Sequence, residues 1–403
     1  MIVKGKKKNF IIREKTNFSN NNSLALKGIA VIMLVFYHCF LRPGRYAAYS
    51  VSFFPLGEEL TISIIKCFKI CVSIFAFVSG YGLMISFRKL LRKYGWTKEY
   101  ILKWVVQRLI KLLSGFWIIV ILYYTFGQIV DERVTNTFYK SGGILYGTLK
   151  LVLDFFALSN FFRTPEFCGT WWYMGLAILF VISVPIFTRL FEKYGYTLVI
   201  IGIIAIPRIL NIKFVGNSYI SFILIVVLGM IFSREELLTK IANFKILKKQ
   251  LYLNKLLKFI IGTGIIYVLY RLYNILPVEK FWEIKFAIIP AIFIWYVYEF
   301  VLDVPIIKQI LEYFGKHSMN IFLIHSLLRT VYLNSFIYSQ KHFIIIAGVL
   351  FIISLILSIL LELFKKLIRY DKLIDKLQLA IRRKIDNYYE KRRMKTIKVI
   401  ETK

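Results

Sequence analysis

Long apolar runs constrain this chain more than any other feature. A helix that crosses the hydrocarbon core of a bilayer needs about 20 mostly apolar residues, and the sequence contains eleven candidate runs of that kind: 24–41, 60–87, 103–126, 143–161, 171–190, 195–211, 218–232, 256–276, 283–302, 318–336 and 342–364. Strands of a membrane barrel alternate apolar and polar residues, whereas runs such as Ile344–Leu361 do not. The pattern predicts an all-α, polytopic transmembrane helix bundle.

Composition excludes the main alternatives to a membrane protein. Of the 403 residues, 58% are apolar and only 19% are charged, whereas soluble domains contain about 45–50% apolar and about 25% charged residues. The 22 Gly, 8 Pro and 4 Cys residues also exclude a collagen and a disulfide scaffold. The net charge of +33 is explained by Lys and Arg in cytoplasmic loops. No nucleic-acid-binding motif accompanies it, so a nucleic-acid partner is not expected.

The basic segments predict the orientation of the spans. Lys and Arg cluster in the head, in loops 88–99 and 233–255, and in the tail after 364, so both termini are expected in the cytoplasm. Two cytoplasmic termini require an even number of spans, and one of the eleven runs therefore does not cross. Run 143–161 is the first choice because it contains Lys150 and Asp154, and run 195–211 is the second because Pro207 and Arg208 interrupt it. About ten spans remain.

These assignments divide the chain into three parts. Residues 1–22 form a basic cytoplasmic head, residues 23–365 form the transmembrane domain, and residues 366–403 form a basic cytoplasmic tail. Apolar residues recur at helical spacing in the tail, which is typical of an amphipathic helix on the membrane surface and equally of a solvated helix. The expected location is a membrane, crossed many times and in contact with lipid.

Ionisable residues within apolar runs are costly and mark candidate functional positions. In the first run, Lys27 and His38 are eleven positions apart, which places them near one helix face and about 16 Å apart. Lys27 can be an interfacial lysine and His38 a hydrogen-bonded packing residue. Histidine is also the side chain best suited to general-base chemistry near neutral pH.

Five ordered segments resemble the acyltransferase 3 family of integral membrane acyltransferases. The family signature is an arginine and a histidine separated by ten residues; Lys27 and His38 keep that spacing, with lysine in place of arginine. The other four matching segments follow in the family's order: Phe75-Ala-Phe-Val-Ser79-Gly80-Tyr-Gly82-Leu, Gln107-Arg108-Leu-Ile-Lys111, Gly169-Thr-Trp171-Trp172-Tyr-Met, and Gly315-Lys-His317-Ser-Met-Asn320-Ile-Phe-Leu-Ile-His325. The resemblance covers residues 20–365.

This resemblance implies a function. Members transfer acyl groups, often acetyl from acetyl-CoA, to extracytoplasmic or lipid-linked glycans. We therefore expect an O-acyltransferase in the plasma membrane of a bacterium. It uses acyl-CoA as donor substrate and modifies a hydroxyl of a cell-envelope polysaccharide, with no tightly bound cofactor. Acetyl or succinyl as the acyl group, the acceptor glycan and the oligomeric state are left open. A glycan exporter or flippase without acyl chemistry is the alternative.

The resemblance and the chemistry together assign candidate roles. His38 is the expected base, and Lys27 the expected catalytic partner on the donor side, where lysine supplies charge without a bidentate fork. Arg108 and Lys111 either bind donor phosphates or follow the positive-inside rule, and His325 either lines the site or forms an interhelical hydrogen bond. Trp171 and Trp172 either stack on an acceptor sugar or belong to an interfacial belt. The four histidines have no metal-ligand spacing, so no metal is expected.

Overall fold

The computed structural model describes residues 18–140, 142–212, 218–247 and 250–401, with side chains up to 394. Most of the predicted basic head, including Lys4, Lys6, Lys7, Lys8, Arg13 and Lys15, lies outside the described residues. Within the described part the chain is helical and contains no strand, only a single bridge between Ser52 and His342. The prediction of an all-α fold is confirmed.

Fifteen α-helices make up the described chain. They are α1 Asn20–Phe40, α2 Glu58–Cys67, α3 Ile70–Tyr94, α4 Lys98–Asp131, α5 Gly143–Phe155, α6 Ser159–Phe162, α7 Trp172–Ile209, α8 Tyr219–Glu235, α9 Leu237–Asn243, α10 Leu251–Ile275, α11 Ile289–Tyr296, α12 Pro305–Leu327, α13 Asn334–Tyr338, α14 Phe343–Leu367 and α15 Tyr370–Glu401. Short π-helical turns cover Thr135–Tyr139, Ile284–Ile288, Val297–Val301 and Leu328–Tyr332, and 3-10 turns cover Pro43–Arg45 and Ala47–Tyr49.

Among the described residues, seven helical segments are long and apolar enough to cross a membrane: Asn20–Phe40, Glu58–Tyr94, Lys98–Asp131, Trp172–Ile209, Leu251–Ile275, Ile284–Val301 and Phe343–Leu367. The expectation of about ten spans differs at three runs. Run 195–211 forms the second part of α7, which Gly195, with non-helical φ 74° and ψ 170°, divides into two helices at a kink. Run 218–232 becomes α8, with 17 residues. Run 318–336 belongs to α12, which begins earlier, at Pro305, and there includes Lys308, Glu312 and Lys316.

The run chosen as non-spanning forms a short helix. Helix α5 has 13 residues, which is about 20 Å of helix against a hydrocarbon core of about 30 Å. Its N-terminal end is irregular, because Gly142 before the helix and Gly143 at its first position both have positive φ. A helix of this length does not cross a bilayer by itself.

Helices α1 and α12 pack more extensively against each other than any other pair. A Cβ atom on Gly28 would lie 2.1 Å from the carbonyl oxygen of Leu311, and one on Gly315 would lie 1.9 Å from that of Leu24. Side chains longer than hydrogen therefore do not fit at this crossing, which is the small-residue packing that holds membrane helices together.

A second pair of helices, α3 and α8, also packs closely at glycines. A Cβ atom on Gly80 would meet the carbonyl oxygen of Val226 at 2.3 Å, and one on Gly229 would meet that of Phe77 at 2.3 Å. The sequence predicts a packing role for the small residues around Ser79, and Gly80 has that role. Gly82 does not, because a Cβ atom there would have no neighbour within 4 Å.

The tail forms α15, which lies against the first half of α4. The hydroxyl of Tyr370 donates to the carbonyl oxygen of Ser114 at 2.8 Å, and Arg393 pairs with Glu99. Lys103 is buried between Glu99 and Asp386. The two helices are therefore antiparallel, and α15 follows α4 towards the predicted cytoplasmic side.

Candidate active site

The structure brings His38 and His325 together. Their imidazole ring centroids are 5.0 Å apart, with the rings nearly perpendicular at 73°. His325 is completely buried and His38 is half-buried. Two residues that are 287 positions apart in the chain thus share one site near the ends of α1 and α12.

The glycine crossing explains why these two histidines meet. His38 follows Gly28 by ten residues and His325 follows Gly315 by ten residues, which is about 15 Å along either helix. The helices touch at the two glycines and again at the two histidines, ten residues later on each helix. Helices α1 and α12 therefore run in the same direction. The backbone contact therefore fixes the relative height of the two rings.

Hydrogen bonds define the tautomer of His325. Its Nδ1 lies 3.0 Å from the carbonyl oxygen of Ile321 and 2.9 Å from that of Phe322. A carbonyl oxygen only accepts hydrogen bonds, so Nδ1 carries the proton and Nε2 carries the lone pair. This Nε2 is buried and has no hydrogen-bond partner within the part of the chain that the structure describes. It is available to a substrate group or to a proton on His38.

Lys27 and Lys111 form a basic pair near the predicted cytoplasmic end of α1. Lys27 is half-buried, Lys111 is exposed on α4, and Lys111 is the charged group that acts on Lys27. No ion pair involves Lys27 among the described residues. A lysine without an acidic partner, with a second lysine acting on it, is suited to an anionic ligand.

Arg108 does not join that pair. Its guanidinium donates to the Ser86 hydroxyl of α3 and lies 5.8 Å from the ring centroid of Trp104. Ser86 also accepts a hydrogen bond from the indole of Trp104 at 2.9 Å. In this structure Arg108 links α4 to α3, and its contact with a donor stays a prediction.

The two tryptophans lie inside the bundle. Trp171 is 3% exposed, and its indole donates to the carbonyl oxygen of Leu323 at 3.1 Å, two residues before His325. Its ring packs edge-on against Phe116 with centroids 5.1 Å apart. Trp172 is half-buried and lies near Phe222 of α8. Trp171 therefore supports the backbone that carries His325, and the geometry gives it no open face for a sugar.

The sequence reasoning missed two arginines beside the histidines. Arg329 is 3% exposed and lies in the π-helical turn Leu328–Tyr332 that follows α12, one turn after His325. Arg45 follows α1, and its guanidinium donates to the carbonyl oxygen of His38. The sequence contains a sign of Arg329, because an arginine four positions after His325 in an apolar run lies on the same helix face. Nothing local distinguished Arg45 from other loop arginines.

A carboxylate pair lies beyond α4 on the predicted outer side. Asp154 of α5 is 2% exposed and accepts hydrogen bonds from the Tyr124 hydroxyl at 2.7 Å and from the Phe167 amide at 3.3 Å. Burial raises the pKa of Asp154 to about 6. Burial, with repulsion from Asp154 as the next cause, raises the pKa of Glu166 to about 7. The protonation of this pair therefore changes near neutral pH. Among the described residues no hydrogen bond or ion pair joins it to the histidines.

One cavity of the bundle lies apart from these polar residues. It has a volume of about 470 Å³ and lies between α4, α12 and α14, with Tyr123, Ile324 and Leu360 in its wall. Its lining carries no charged group, so it is not matched to a CoA or to a sugar. Among the described residues no group of three or more His, Cys, Asp or Glu side chains is arranged to hold a metal ion.

Comparison with known proteins gives one match. A protein-family model described as an acyltransferase domain, that of the acyltransferase 3 family, matches residues 22–363. No curated protein and no solved structure matches the chain significantly. The matched range contains both histidines, the lysine pair and the two arginines.

Proposed function

The chain belongs to the acyltransferase 3 family, and from that premise we propose that it is a membrane O-acyltransferase of the bacterial cell envelope. The donor is an acyl-CoA, with acetyl-CoA as the expected form, and the acceptor is a hydroxyl group of a cell-surface or lipid-linked polysaccharide. The single observation that carries the proposal is the contact between His38 and His325, whose ring centroids are 5.0 Å apart.

The histidine pair supplies the base that acyl transfer needs. His38 takes the proton of the acceptor hydroxyl while the oxygen attacks the thioester carbonyl carbon, which forms the new C–O bond. Collapse of the tetrahedral intermediate breaks the C–S bond, and the protonated imidazole returns its proton to the leaving thiolate. His325 presents the lone pair of Nε2 and orients His38, and it stabilises the imidazolium as that charge forms.

The lysine pair supplies a binding place for the donor phosphates. Lys27 and Lys111 lie near the predicted cytoplasmic end, and Lys27 precedes His38 by eleven residues, which is about 16 Å of helix. A donor bound at the lysines and extended along α1 would present its thioester to His38. Lysine gives the phosphates charge at this point, where the family has an arginine, and phosphate binding by point charge is common.

The rival function, export of a glycan without acyl chemistry, has less support. The crossing of α1 and α12 is closed at backbone distance by Gly28 and Gly315, which leaves no space for a glycan to pass between these two helices. A buried imidazole with an unpartnered Nε2 also has an evident purpose in proton transfer. A pure exporter would not require either feature.

One experiment separates the two functions. Acyl incorporation into envelope glycan and the amount of exported glycan are measured for wild type, His38→Ala, Lys27→Arg and Lys27→Gln at matched membrane levels. We expect His38→Ala to lose acylation by about 10²–10⁴-fold, the usual contribution of a general base, while export continues. Lys27→Arg should keep activity, and Lys27→Gln should raise the KM for acyl-CoA.

Two outcomes would contradict the proposal. Unchanged acylation in His38→Ala would remove the assigned base, and loss of export together with unchanged acyl content would favour the exporter. Lys111→Gln is the matched variant for the donor site, because it removes the second lysine of the pair without touching α1.

A further inference from the structure

Two arginines surround the outer end of the histidine pair, and the acyl-transfer chemistry above does not use them. Arg329 is 3% exposed and follows His325 by one helical turn. Arg45 is half-buried and donates to the carbonyl oxygen of His38. Each arginine is therefore linked to one of the two histidines.

A tyrosine connects Arg329 to the end of α1. Arg329 acts electrostatically on the hydroxyl of Tyr338, and this hydroxyl donates to the carbonyl oxygen of Cys39 at 2.8 Å. The Nε of Arg329 is buried and has no hydrogen-bond partner among the described residues. Together with Nε2 of His325, it is the second unsatisfied nitrogen of this buried cluster.

The positive charge of the cluster is not balanced by a described acidic side chain. His325, Arg329 and Arg45 act electrostatically on His38. Arg329, Tyr338, Arg42 and Cys39 act on Arg45. Burial, with repulsion by Arg329 as the next cause, lowers the pKa of Arg45 to about 10, so the guanidinium is still charged at neutral pH. An unpaired buried charge is costly, and an arriving anion would remove that cost.

The C-terminal end of α1 stabilises the charge of Arg45 but not that of Arg329. A cation at the last carbonyls of a helix interacts favourably with the helix dipole, and Arg45 has that position at the carbonyl of His38. Among the described residues no hydrogen bond joins the Arg329 guanidinium to α1, and its buried Nε has no partner. A second arginine that is buried without an anion therefore indicates a ligand.

We propose that Arg45 and Arg329 bind an anionic group of the acceptor, a phosphate or a carboxylate, and so select anionic glycans over neutral ones. This inference rests on the proposed function, since it identifies the acceptor class of the same site. Guanidinium groups bind carboxylate and phosphate in bidentate geometry. Binding there would hold an acceptor hydroxyl beside His38.

The test measures both binding and transfer on the full chain in lipid nanodiscs. The probes are a glycerol-phosphate oligomer, a hexuronic acid oligosaccharide and a neutral oligosaccharide of matched length. The variants are Arg329→Gln, Arg329→Lys and Arg45→Gln, and exposed Arg163→Gln is the control for loss of a positive charge elsewhere. The two anionic probes distinguish phosphate from carboxylate as the recognised group.

We expect wild type to bind at least one anionic probe about tenfold or more tightly than the neutral one at the same ionic strength, since guanidinium hydrogen bonds to an anion are charge-assisted. Arg329→Gln and Arg45→Gln should each lose about tenfold or more of that affinity, and Arg329→Lys should recover part of it. The neutral probe and Arg163→Gln should be unaffected. Where transfer occurs, KM for the anionic acceptor should rise while kcat changes little.

Equal binding of charged and neutral probes by wild type would overturn the inference. So would arginine variants that lose the same factor in kcat with the anionic and with the neutral acceptor. Arg329→Lys and Arg45→Gln keep the test decisive if Arg329→Gln does not fold. If an anionic probe binds through the arginines but no acyl group is transferred, the proposed function is contradicted. The inferred anion site is then still supported.

Discussion

At the scale of single residues, the histidine pair is the feature with the clearest chemistry. The Nδ1 proton of His325 is held by two backbone carbonyls, so the useful nitrogen is Nε2, and it lies in a fully buried position. Neighbouring Trp171 keeps the backbone of α12 in place through its bond to Leu323. The orientation of the second histidine is thus prepared before a substrate arrives.

This orientation leads to a prediction with two matched substitutions at His325. Asparagine places its amide near the position of Nδ1 and leaves nothing at Nε2, whereas glutamine can place an acceptor oxygen near Nε2. We expect His325→Asn to lower kcat by about 10²-fold and His325→Gln to lower it by less than about tenfold, with little change in the KM for acyl-CoA. Release of free CoA thiol measures both constants.

The control is His342→Asn, which changes a histidine outside the site. Equal activity of the asparagine and glutamine variants would mean that Nε2 of His325 has no part in the reaction.

At the scale of elements, the two glycine crossings set the geometry of the bundle. Hydrophobic burial does not drive helices together in lipid, so close packing and polar contacts decide which helices pair. Gly28 and Gly315 bring α1 and α12 to backbone contact, and Gly80 and Gly229 do the same for α3 and α8. The first crossing lies about 15 Å below the histidines, so a shift there moves the site.

We therefore expect Gly28→Ala and Gly315→Ala to lower both thermal stability and kcat. The new methyl group would lie 2.1 or 1.9 Å from a carbonyl oxygen, and the two helices must separate at a cost of about 1–3 kcal/mol. Gly82→Ala and Gly348→Ala are matched controls in helices where a Cβ atom has no neighbour within 4 Å. Alanine favours a helix by up to about 1 kcal/mol over glycine, so the controls should be neutral or slightly stabilising.

The midpoint of thermal denaturation, followed by loss of the monodisperse detergent-solubilised species, measures this difference. If Gly28→Ala is as stable as the controls, the close approach of the two backbones is refuted.

At the scale of the whole molecule, the directions of the helices test the predicted topology. Helices α1 and α12 run parallel, and in a ten-span order they are the first and ninth spans, which have the same direction. Helices α3 and α8 are also parallel, because Gly80 contacts Val226 and, eight residues later on both, Arg88 donates to the carbonyl of Arg234 at 3.3 Å. They would be the second and sixth spans. The directions agree with the ten-span order, and the number itself stays a prediction.

Cysteine labelling in intact cells checks this order. Ser339 follows α12 and Gln309 lies at its start, and both are exposed. We expect Ser339→Cys to react with a membrane-impermeant maleimide from outside and Gln309→Cys to react only after permeabilisation. Wild type is the background control, because its cysteines are buried or, for Cys67, partly buried. Labelling of both positions from one side would show that α12 does not cross the membrane.

The sequence by itself determined that the chain is a helical membrane bundle, because backbone groups in lipid must be satisfied within each helix and apolar runs of sufficient length show where this happens. It also identified Lys27, His38 and His325, since ionisable groups are rare in such runs. These conclusions depend only on local composition and spacing.

Only the tertiary structure decided which of these residues share a site. The pairing of α1 with α12 rests on two glycines whose fit cannot be read from hydropathy, and it brings His38 to His325 while Arg108 turns to Ser86. The same packing buries Trp171, which composition would have placed at an interface, and brings Arg45 and Arg329 to the histidines. Long-range contacts of this kind depend on shape and on backbone approach, whereas the hydropathy pattern records only the affinity of each segment for lipid.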